Sequence, residues 1–401
     1  MTVFKPLRDR AFRNFWMGMS LSTTGYWMQT IIVTWLMQSW SRGDAVQISL
    51  VQTAMFLPIM LMSLPAGVLS DRLDRRKLLI GVHLFMAVSP LCIAGLVFMR
   101  WESPAMLLGL VVLLAFGNAV KLPSQSAYLP DLTTAEHLPS ALSLSSMALN
   151  GGRIVGPAIA GLLLPGLGAA TVLFANSASY LAFVAVLLGL QDAPQRKTGR
   201  GRIAFAQEIG GLFRFVHSQP AYRAILVRGG LLFATWPVVL IVLPILARDA
   251  TAFGTIYMYF GIGAIIGAIF VAHVRNRLSP SGCLALAIGA HAISVAILPL
   301  WESMLVQCAA TFMIGMAAFL GLNTFQISVQ KLLPPEIRGR GLALMNMVFM
   351  GSTAVASPLW GAIVKLSTPL NCNLIAAAFS LTALGLTSRL RIDPNEPVTV
   401  T

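Results

Sequence analysis

The sequence predicts an all-α integral membrane protein: about twelve transmembrane helices arranged as two pseudo-symmetric six-helix bundles. Three observations predict it. The 401 residues are 57% hydrophobic and only 10% charged, with a mean hydropathy of +0.78, far from the balance of a soluble domain. Apolar runs of about 20 residues, the length that crosses a roughly 30 Å hydrocarbon core as a helix, recur from end to end. The two halves also echo each other at an offset of 200 to 204 residues. The runs are continuous rather than alternating, and backbone groups in lipid must be paired within the chain, so helices are favoured over a barrel.

In chain order the spans are expected at roughly 12–38, 47–70, 78–99, 104–128, 140–165, 168–190, 222–246, 253–273, 282–300, 303–327, 340–364 and 370–390. The basic N-terminus, MTVFKPLRDRAFRNFW, runs straight into the first span without a small-residue cleavage site and reads as retained. The expected domains are a first bundle over 1–190, a cytoplasmic linker over 191–220, a second bundle over 221–390 and a cytoplasmic tail over 391–401. Within the linker, QDAPQRKTGRGR is polar, and IAFAQEIGGLFRFVHS has the helical spacing of an amphipathic surface helix.

The net charge of +14 is placed by topology rather than for nucleic acid. Lys5, Arg8, Arg10 and Arg13 precede span one, and Arg72, Arg75, Arg76 and Lys77 follow span two. Arg196, Lys197, Arg200, Arg202, Arg214 and Arg223 surround the linker; Arg275, Arg277, Lys331, Arg338, Arg340, Arg389 and Arg391 fall in every second loop after it. The alternate loops hold only Arg42, Arg100, Arg248 and Lys365. This asymmetry puts both termini in the cytoplasm and makes the number of spans even. Cys92, Cys283, Cys308 and Cys372 have neither disulfide nor metal spacing.

The internal echo is ordered. Trp101-Glu102-Ser103 recurs as Trp301-Glu302-Ser303, GNAVKLPSQSAYLP (117–130) aligns without gaps to GLNTFQISVQKLLP (321–334), and Gly67 answers to Gly267. Together these suggest a duplicated six-span unit. The densest charge cluster is the turn GVLSDRLDRRK, Gly67 to Lys77, squeezed between two spans. Its second-half counterpart keeps Arg275 and Arg277 but has Val271 in place of Asp71.

Gly67, Asp71, Arg72, Arg75, Arg76 and Lys77 resemble the loop-two signature of the major facilitator superfamily, which usually has Gly where this chain has Asp74. NGGRIVGPAIAG in span five, with Gly152, Gly156, Pro157 and Gly161, is similar to the superfamily's antiporter motif. LPDL at 129–132, Arg153 to Pro157, and Phe174-Ala175-Asn176 resemble its siderophore and small-metabolite exporter branch. The resemblance implies the two-bundle fold, transport by alternating access in a bacterial inner membrane, and a central cavity lined by spans one, four, seven and ten. It also implies a gating role for Gly67, Asp71, Arg72, Arg75, Arg76, Gly152, Gly156, Pro157 and Gly161. Physically, Asp71 can accept from a neighbouring helix N-terminus, and the arginines can pair across the bundles in one state and release in the other. The simpler roles are topology for the bases and close packing for the small residues.

All fourteen acids fall in loops or at span ends, whereas Lys121, Arg153 and Arg228 lie within spans and His291 lies near the middle of span nine. A base in a span costs roughly 2.5 to 3.5 kcal/mol, so it is expected to face the bundle interior. With no carboxylate to partner it, the expected counterion is an anionic cargo. The expected binding residues are Gln29, Asn118, Lys121, Arg153, Arg228, Trp236, His291, Asn323 and Gln326, with Ser22, Thr23 and Trp27 on span one. Simpler roles stand beside these: snorkelling for Lys121 and Arg228, backbone bonding for Arg153, and a hydrogen-bonded core position for His291.

The function expected is secondary active export of a small, anionic or carboxylate-bearing, siderophore-like metabolite. Multidrug efflux and organic-anion uptake are the alternatives within transport. No nucleophile, metal or His-acid cluster supports an enzyme, no loop is long enough for a receptor's sensory domain, and no GxxxxGK[ST] segment supports an ATP-driven pump. No cofactor, metal or nucleic acid is implied; the partners are the cargo and the bilayer, the chain is expected to act as a monomer, and a proton gradient is one candidate energy source, with Asp71 or His291 as carrier.

Overall fold

The computed structural model describes residues 4–134, 136–190, 216, 219–333, 335–390 and 392, with the backbone alone at 63, 64, 67, 68, 70–72 and 335–340. The expected linker helix and the tail lie almost wholly outside these residues. A 3-10 turn at Lys5–Arg8 leads into α1 (Arg10–Trp40), α2 (Ala45–Arg72), α3 (Arg75–Phe98), α4 (Pro104–Tyr128) and α5 (Leu138–Gly189). There follow α6 (Pro220–Thr235), α7 (Pro237–Leu246), α8 (Ala250–Arg277), α9 (Pro280–Ile297), α10 (Met304–Leu332), α11 (Pro335–Leu366) and α12 (Pro369–Thr387).

Ten of the helical stretches among the described residues are long and apolar enough to cross a membrane. Two further features bring the twelve expected crossings. At 1.5 Å per residue the 52 residues of α5 would run about 78 Å, more than twice the hydrocarbon core. The helix is broken at Gly168 (φ 74°, ψ 161°), a conformation that strongly favours glycine, so α5 supplies spans five and six. α1, 31 residues long, is the twelfth; its buried Ser22, Thr23, Gln29, Thr30 and Thr34 hold its hydropathy down. α6 and α7 form one crossing, interrupted at Trp236 because Pro237 has no N–H to continue the ladder.

The loop acids have a local task. Asp9 accepts from Ala11 N at 2.7 Å, Asp44 from Val46 N at 2.9 Å, Asp74 from Lys77 N at 2.9 Å and Asp249 from Ala252 N at 2.8 Å. Each satisfies a donor that a helix start leaves open. Every carboxylate whose side chain is described (Asp9, Asp44, Asp74, Glu102, Asp131, Glu136, Asp249 and Glu302) stands outside the α-helices.

The chain divides into two compact units, Met1–Thr198 with Ala247–Met258, and Gly199–Leu246 with Tyr259–Thr401. In the first, α5 packs on α1 and α3, and α4 packs on α2 and α3. In the second, α6 packs on α11 and α12, and α9 on α10 and α12. These are corresponding pairings in the duplicated order. The start of α8 groups with the first unit, where Gly161 and Gly254 bring two backbones together: a Cβ on Gly161 would lie 2.2 Å from Gly254 O. The repeated Trp-Glu-Ser triplets each precede a helix, and the serine carbonyl takes its first backbone bond in both, although only Ser103 also caps with its side chain. Ser103 O accepts from Leu107 N at 3.0 Å to start α4, and Ser303 O from Gln307 N at 3.1 Å to start α10.

Candidate functional site

In the first unit the interior is layered. Nearest the end where α1 begins and α4 finishes is an apolar cluster that includes Phe12, Phe15, Leu79, Tyr128, Leu144 and Phe183. Two to three turns further along the same helices, polar side chains gather. α4 contributes Asn118, Lys121 and Gln125, whose three- and four-residue spacing puts them on one face, and all three are buried. α1 contributes Thr23, Tyr26 and Trp27, and α5 contributes Ser145 and Arg153.

Glycine sets how closely α1 and α5 approach. A Cβ on Gly152 would lie 2.8 Å from Thr23 Cγ2, and one on Gly156 would lie 2.6 Å from Trp27 Cβ and 2.8 Å from Thr24 O. Pro157 is buried beside them. Because the backbones touch, Arg153 reaches the face of Trp27, with Cζ 4.9 Å from the ring centre. Lys121 Nζ stands 5.3 Å over Tyr26, and the two rings meet edge to face at 5.7 Å. Each cation is therefore set against an aromatic face, an attraction of about 0.5 to 2 kcal/mol, well short of what two charges lose on leaving water.

Lys121 is only 1% exposed, and among the described residues no carboxylate pairs with it or with Arg153. Arg153 Nε, Thr23 Oγ1, Ser145 Oγ and both amide atoms of Gln125 are buried without a hydrogen-bond partner among the described residues, while the Tyr26 hydroxyl has Asn118 as a neighbouring hydrogen-bond partner. Buried polar atoms are ordinarily paired. A cluster of unpaired ones around two cations suits an anionic ligand that accepts hydrogen bonds. Tyr26, Gln125 and Ser145 were not among the residues singled out from sequence. Gln125 was legible, four residues beyond Lys121 in an otherwise apolar helix; Tyr26 and Ser145 needed the packing of α1 against α5.

Gln29 lies elsewhere. Its Oε1 accepts from Asn176 Nδ2 at 2.6 Å and its Nε2 donates to Ser89 Oγ at 3.4 Å, while Ser89 donates to Leu110 O at 2.8 Å. This network ties α1, α3, α4 and α5 together. His83, also not anticipated, is buried in α3 with Nδ1 2.8 Å from Leu79 O and its ring against Phe183 at 4.6 Å.

In the second unit, Arg228 is bonded to a helix end. Its Nε donates to Thr387 O at 3.0 Å and its second amino group also bonds that carbonyl, at the C-terminus of α12. The site favours it because the last carbonyls of a helix lack intrahelical donors and carry the negative end of its dipole. Further along the same crossing, Trp236 stacks on His291 at 5.8 Å and meets Phe260 edge-on at 5.8 Å. Both ring nitrogens of buried His291, and Oδ1 of Asn323, lack a partner among the described residues. Gln326 is half-buried one turn after Asn323.

Of the expected gating residues, Gly67, Asp71 and Arg72 are described in their backbone alone. Arg75 and Arg76 are visible and both make bonds inside the first unit. Arg75 donates to Asp131 Oδ2 at 3.0 Å, with the side chains 9% and 2% exposed. Arg76 donates from Nε to Leu187 O at 2.7 Å and from an amino group to Leu188 O at 2.8 Å, at the end of α5.

Comparison with known proteins agrees with this architecture. Residues 1–398 match the family described as transmembrane secretion effector. The multidrug efflux pump Tap of Mycolicibacterium fortuitum is 27% identical over 84% of this chain and 88% of its own. The enterobactin exporter EntS of Salmonella typhimurium is 24% identical over 87% of this chain and 83% of its own. The staphyloferrin A transporter of Staphylococcus aureus is 31% identical, over 41% of each chain. Among solved structures, the nucleoside transporter NupG superimposes with a TM-score of 0.76 at 14% identity, over 95% of this chain and 99% of that one. A bacterial homolog of the human lysosomal transporter Spinster gives 0.75 at 14% identity, over 98% and 99%; these two likenesses concern the fold alone. With its helical architecture and a family match along nearly its whole length, this chain belongs to the transmembrane secretion effector family of the major facilitator superfamily and is a multi-pass membrane transporter, not an enzyme.

Proposed function

We propose that the transporter exports a small anionic metabolite, carboxylate-bearing and siderophore-like, from the cytoplasm by alternating access. The observation that carries this reading is the pairing of Lys121 and Arg153 with Tyr26 and Trp27, among unpartnered hydrogen-bonding groups and with every described carboxylate side chain outside the α-helices. Lys121 and Arg153 hold the cargo's charge, and Asn118, Gln125, Thr23 and Ser145 take its remaining acceptors. In the second unit, taken by itself, the expected binding residues Trp236, His291, Asn323 and Gln326 are more aromatic and carry no carboxylate or permanent cation. Arg75 and Arg76 belong with Asp71 and Arg72 to the gate, and Gly152, Gly156, Pro157 and Gly161 are the close-packed surfaces on which it moves. The distribution of Lys and Arg between alternate loops supports an inner membrane with both termini cytoplasmic. The 41% of the chain that matches a staphyloferrin A transporter and the longer match to an enterobactin exporter support the siderophore-like class.

Drug efflux is the second reading, supported by the match to the pump Tap over 84% of this chain; cationic drugs would meet repulsion from Lys121 and Arg153. The two are separated by export from cells preloaded with radiolabelled citrate, 2,3-dihydroxybenzoate or the cationic dye ethidium. The anion reading expects efflux of at least one anion and a rise in its KM of tenfold or more in Lys121→Gln, the loss of a hydrogen bond to a charged group. Ethidium export that is unchanged in Lys121→Gln, with no anion moved, would favour the drug reading.

A further inference from the structure

We infer that the second unit carries a lipid site: a cleft between α6 and α12 that takes the phosphate of an anionic phospholipid on the guanidinium of Arg228. The inference is independent of what the cargo is.

The first observation is a cation whose bonding is incomplete. Arg228 is only 3% exposed. A guanidinium keeps its charge in proteins and offers five N–H groups. Nε and one amino group of Arg228 both bond a single acceptor, Thr387 O, while Nη1 is buried without a partner among the described residues. One carbonyl does not replace what a full charge loses on leaving water. The N–H groups on Nη1 therefore remain for an anionic acceptor.

The second observation is the space beside it. Arg228 lines a cleft of about 220 Å³, measured to its mouth, together with Leu231, Leu232, Ile288, Leu384, Ser380 and Thr387. The hydroxyl donors in this lining are already used: Ser380 Oγ donates to Thr235 Oγ1 at 3.3 Å, and Thr387 Oγ1 to Ala383 O at 2.6 Å. The rest of the wall is aliphatic. A ligand rich in polar groups would leave most of them facing leucine, at a cost. A single anionic group on an apolar body matches one spare cation in an aliphatic wall.

The third observation is position. Arg228 lies eight residues into α6, about 12 Å from its start, yet its guanidinium bonds the last residue of α12. The side chain thus reaches back toward the end of the unit where headgroups lie, the cytoplasmic end in the orientation proposed above. Arg223, Val227 and Leu231 follow one another at four-residue spacing on one face of α6; Arg223 is exposed, and Val227 is 46% exposed. A base at the helix start followed by exposed aliphatic residues is the pattern of a face that meets a bilayer, headgroup first and acyl chain beyond. Basic pockets between spanning helices on the cytoplasmic side are where anionic headgroups bind. The cleft is too small for a whole lipid, so the phosphate enters it and the acyl chains lie outside, along Val227 and Leu231.

The test is native mass spectrometry of the full chain in detergent, titrated with dioleoyl-phosphatidylglycerol, with dioleoyl-phosphatidylcholine or with free glycerol phosphate. The expected result is one phosphatidylglycerol held per chain, phosphatidylcholine bound about tenfold more weakly, and no retained glycerol phosphate. Arg223→Gln lowers the affinity for phosphatidylglycerol about fivefold, the weight of one basic residue near the surface. Arg228→Gln lowers it about tenfold or more, the loss of a hydrogen bond to a charged group. Because that variant also removes the bonds to Thr387 O, Leu231→Trp is made beside it; it fills the mouth of the cleft, leaves those bonds in place and lowers the affinity as far. Parental affinity for phosphatidylglycerol in Leu231→Trp, or equal binding of the two lipids, overturns the inference. Glycerol phosphate held as tightly as the lipid makes the cleft a site for a soluble anion and overturns the lipid assignment.

Discussion

The ion pair between Arg75 and Asp131 gives the sharpest test of how the charged end of the first unit is built. The atoms are 3.0 Å apart and the side chains 9% and 2% exposed, so the pair is largely shielded from water. At an effective dielectric constant of 20 the attraction is about 5 kcal/mol before desolvation is subtracted. Removing one partner leaves the other charge buried and alone, which costs about 3 to 5 kcal/mol. Asp131→Asn and Arg75→Gln should therefore each destabilise strongly, and the double variant should lose little more than either single one. With about 2.1 cal/mol/K of unfolding entropy per residue, 401 residues convert that loss to about 4 to 6 °C in melting temperature. The assay is thermal unfolding of the detergent-solubilised chain and its three variants, arranged as a double-mutant cycle. Additive losses, or singles within 1 °C of the parent, would refute the view that this bond braces the start of α3 against the end of α4.

Two other predictions concern the backbone. Gly156→Ala places a methyl group 2.6 Å from Trp27 Cβ and 2.8 Å from Thr24 O, and should destabilise by about 1 to 3 kcal/mol. Gly151→Ala meets nothing within 4 Å and serves as the control; equal melting temperatures for the two variants would remove the close α1–α5 approach from the account of the site. Arg42 and Arg100 both sit at φ 54° just past a helix end, a left-handed position that glycine occupies without strain. Arg42→Gly and Arg100→Gly should each raise stability by about 0.5 to 1 kcal/mol, the cost of left-handed backbone less the entropy glycine loses; a lowered melting point in both would refute it.

The fold was legible because membrane burial imposes it: apolar runs set the spans, alternating positive loops set their number, and the two halves repeat. Less legible were the helix boundaries that depend on one residue's backbone. Gly168 divides α5 without any loop, and Trp236–Pro237 interrupts a single crossing without ending it. For the site, sequence pointed to Lys121 and Arg153 as bases in lipid-length helices, since a charge there must have a reason. It did not show that each would face an aromatic ring, because that depends on Gly152 and Gly156 bringing α1 against α5. Nor did it separate Gln29, tied into an interhelical network, from Asn118, which shares a helical face with Lys121. Both are polar residues in apolar helices, and only the partner across the interface tells them apart.

Arg228 shows how a duplicated unit can keep a physical requirement while moving the residue that meets it. The carbonyls of Leu187 and Thr387 are 200 positions apart, the offset of the repeat. Each accepts a backbone N–H from three residues on, at 3.3 Å from Leu190 and 3.0 Å from Leu390, and each also accepts from an arginine, Arg76 in the first unit and Arg228 in the second. The donors are not counterparts. Position 276, which answers to Arg76, is Asn276, and position 28, which answers to Arg228, is Met28. In both units the closing helix of the bundle ends in carbonyls that lack helical donors, and in both a guanidinium satisfies them. The first unit draws it from the charged turn before α3, the second from the interior of α6. A helix end thus holds an arginine in each unit, Arg76 at the end of α5 and Arg228, with Nη1 still unpartnered among the described residues, at the end of α12.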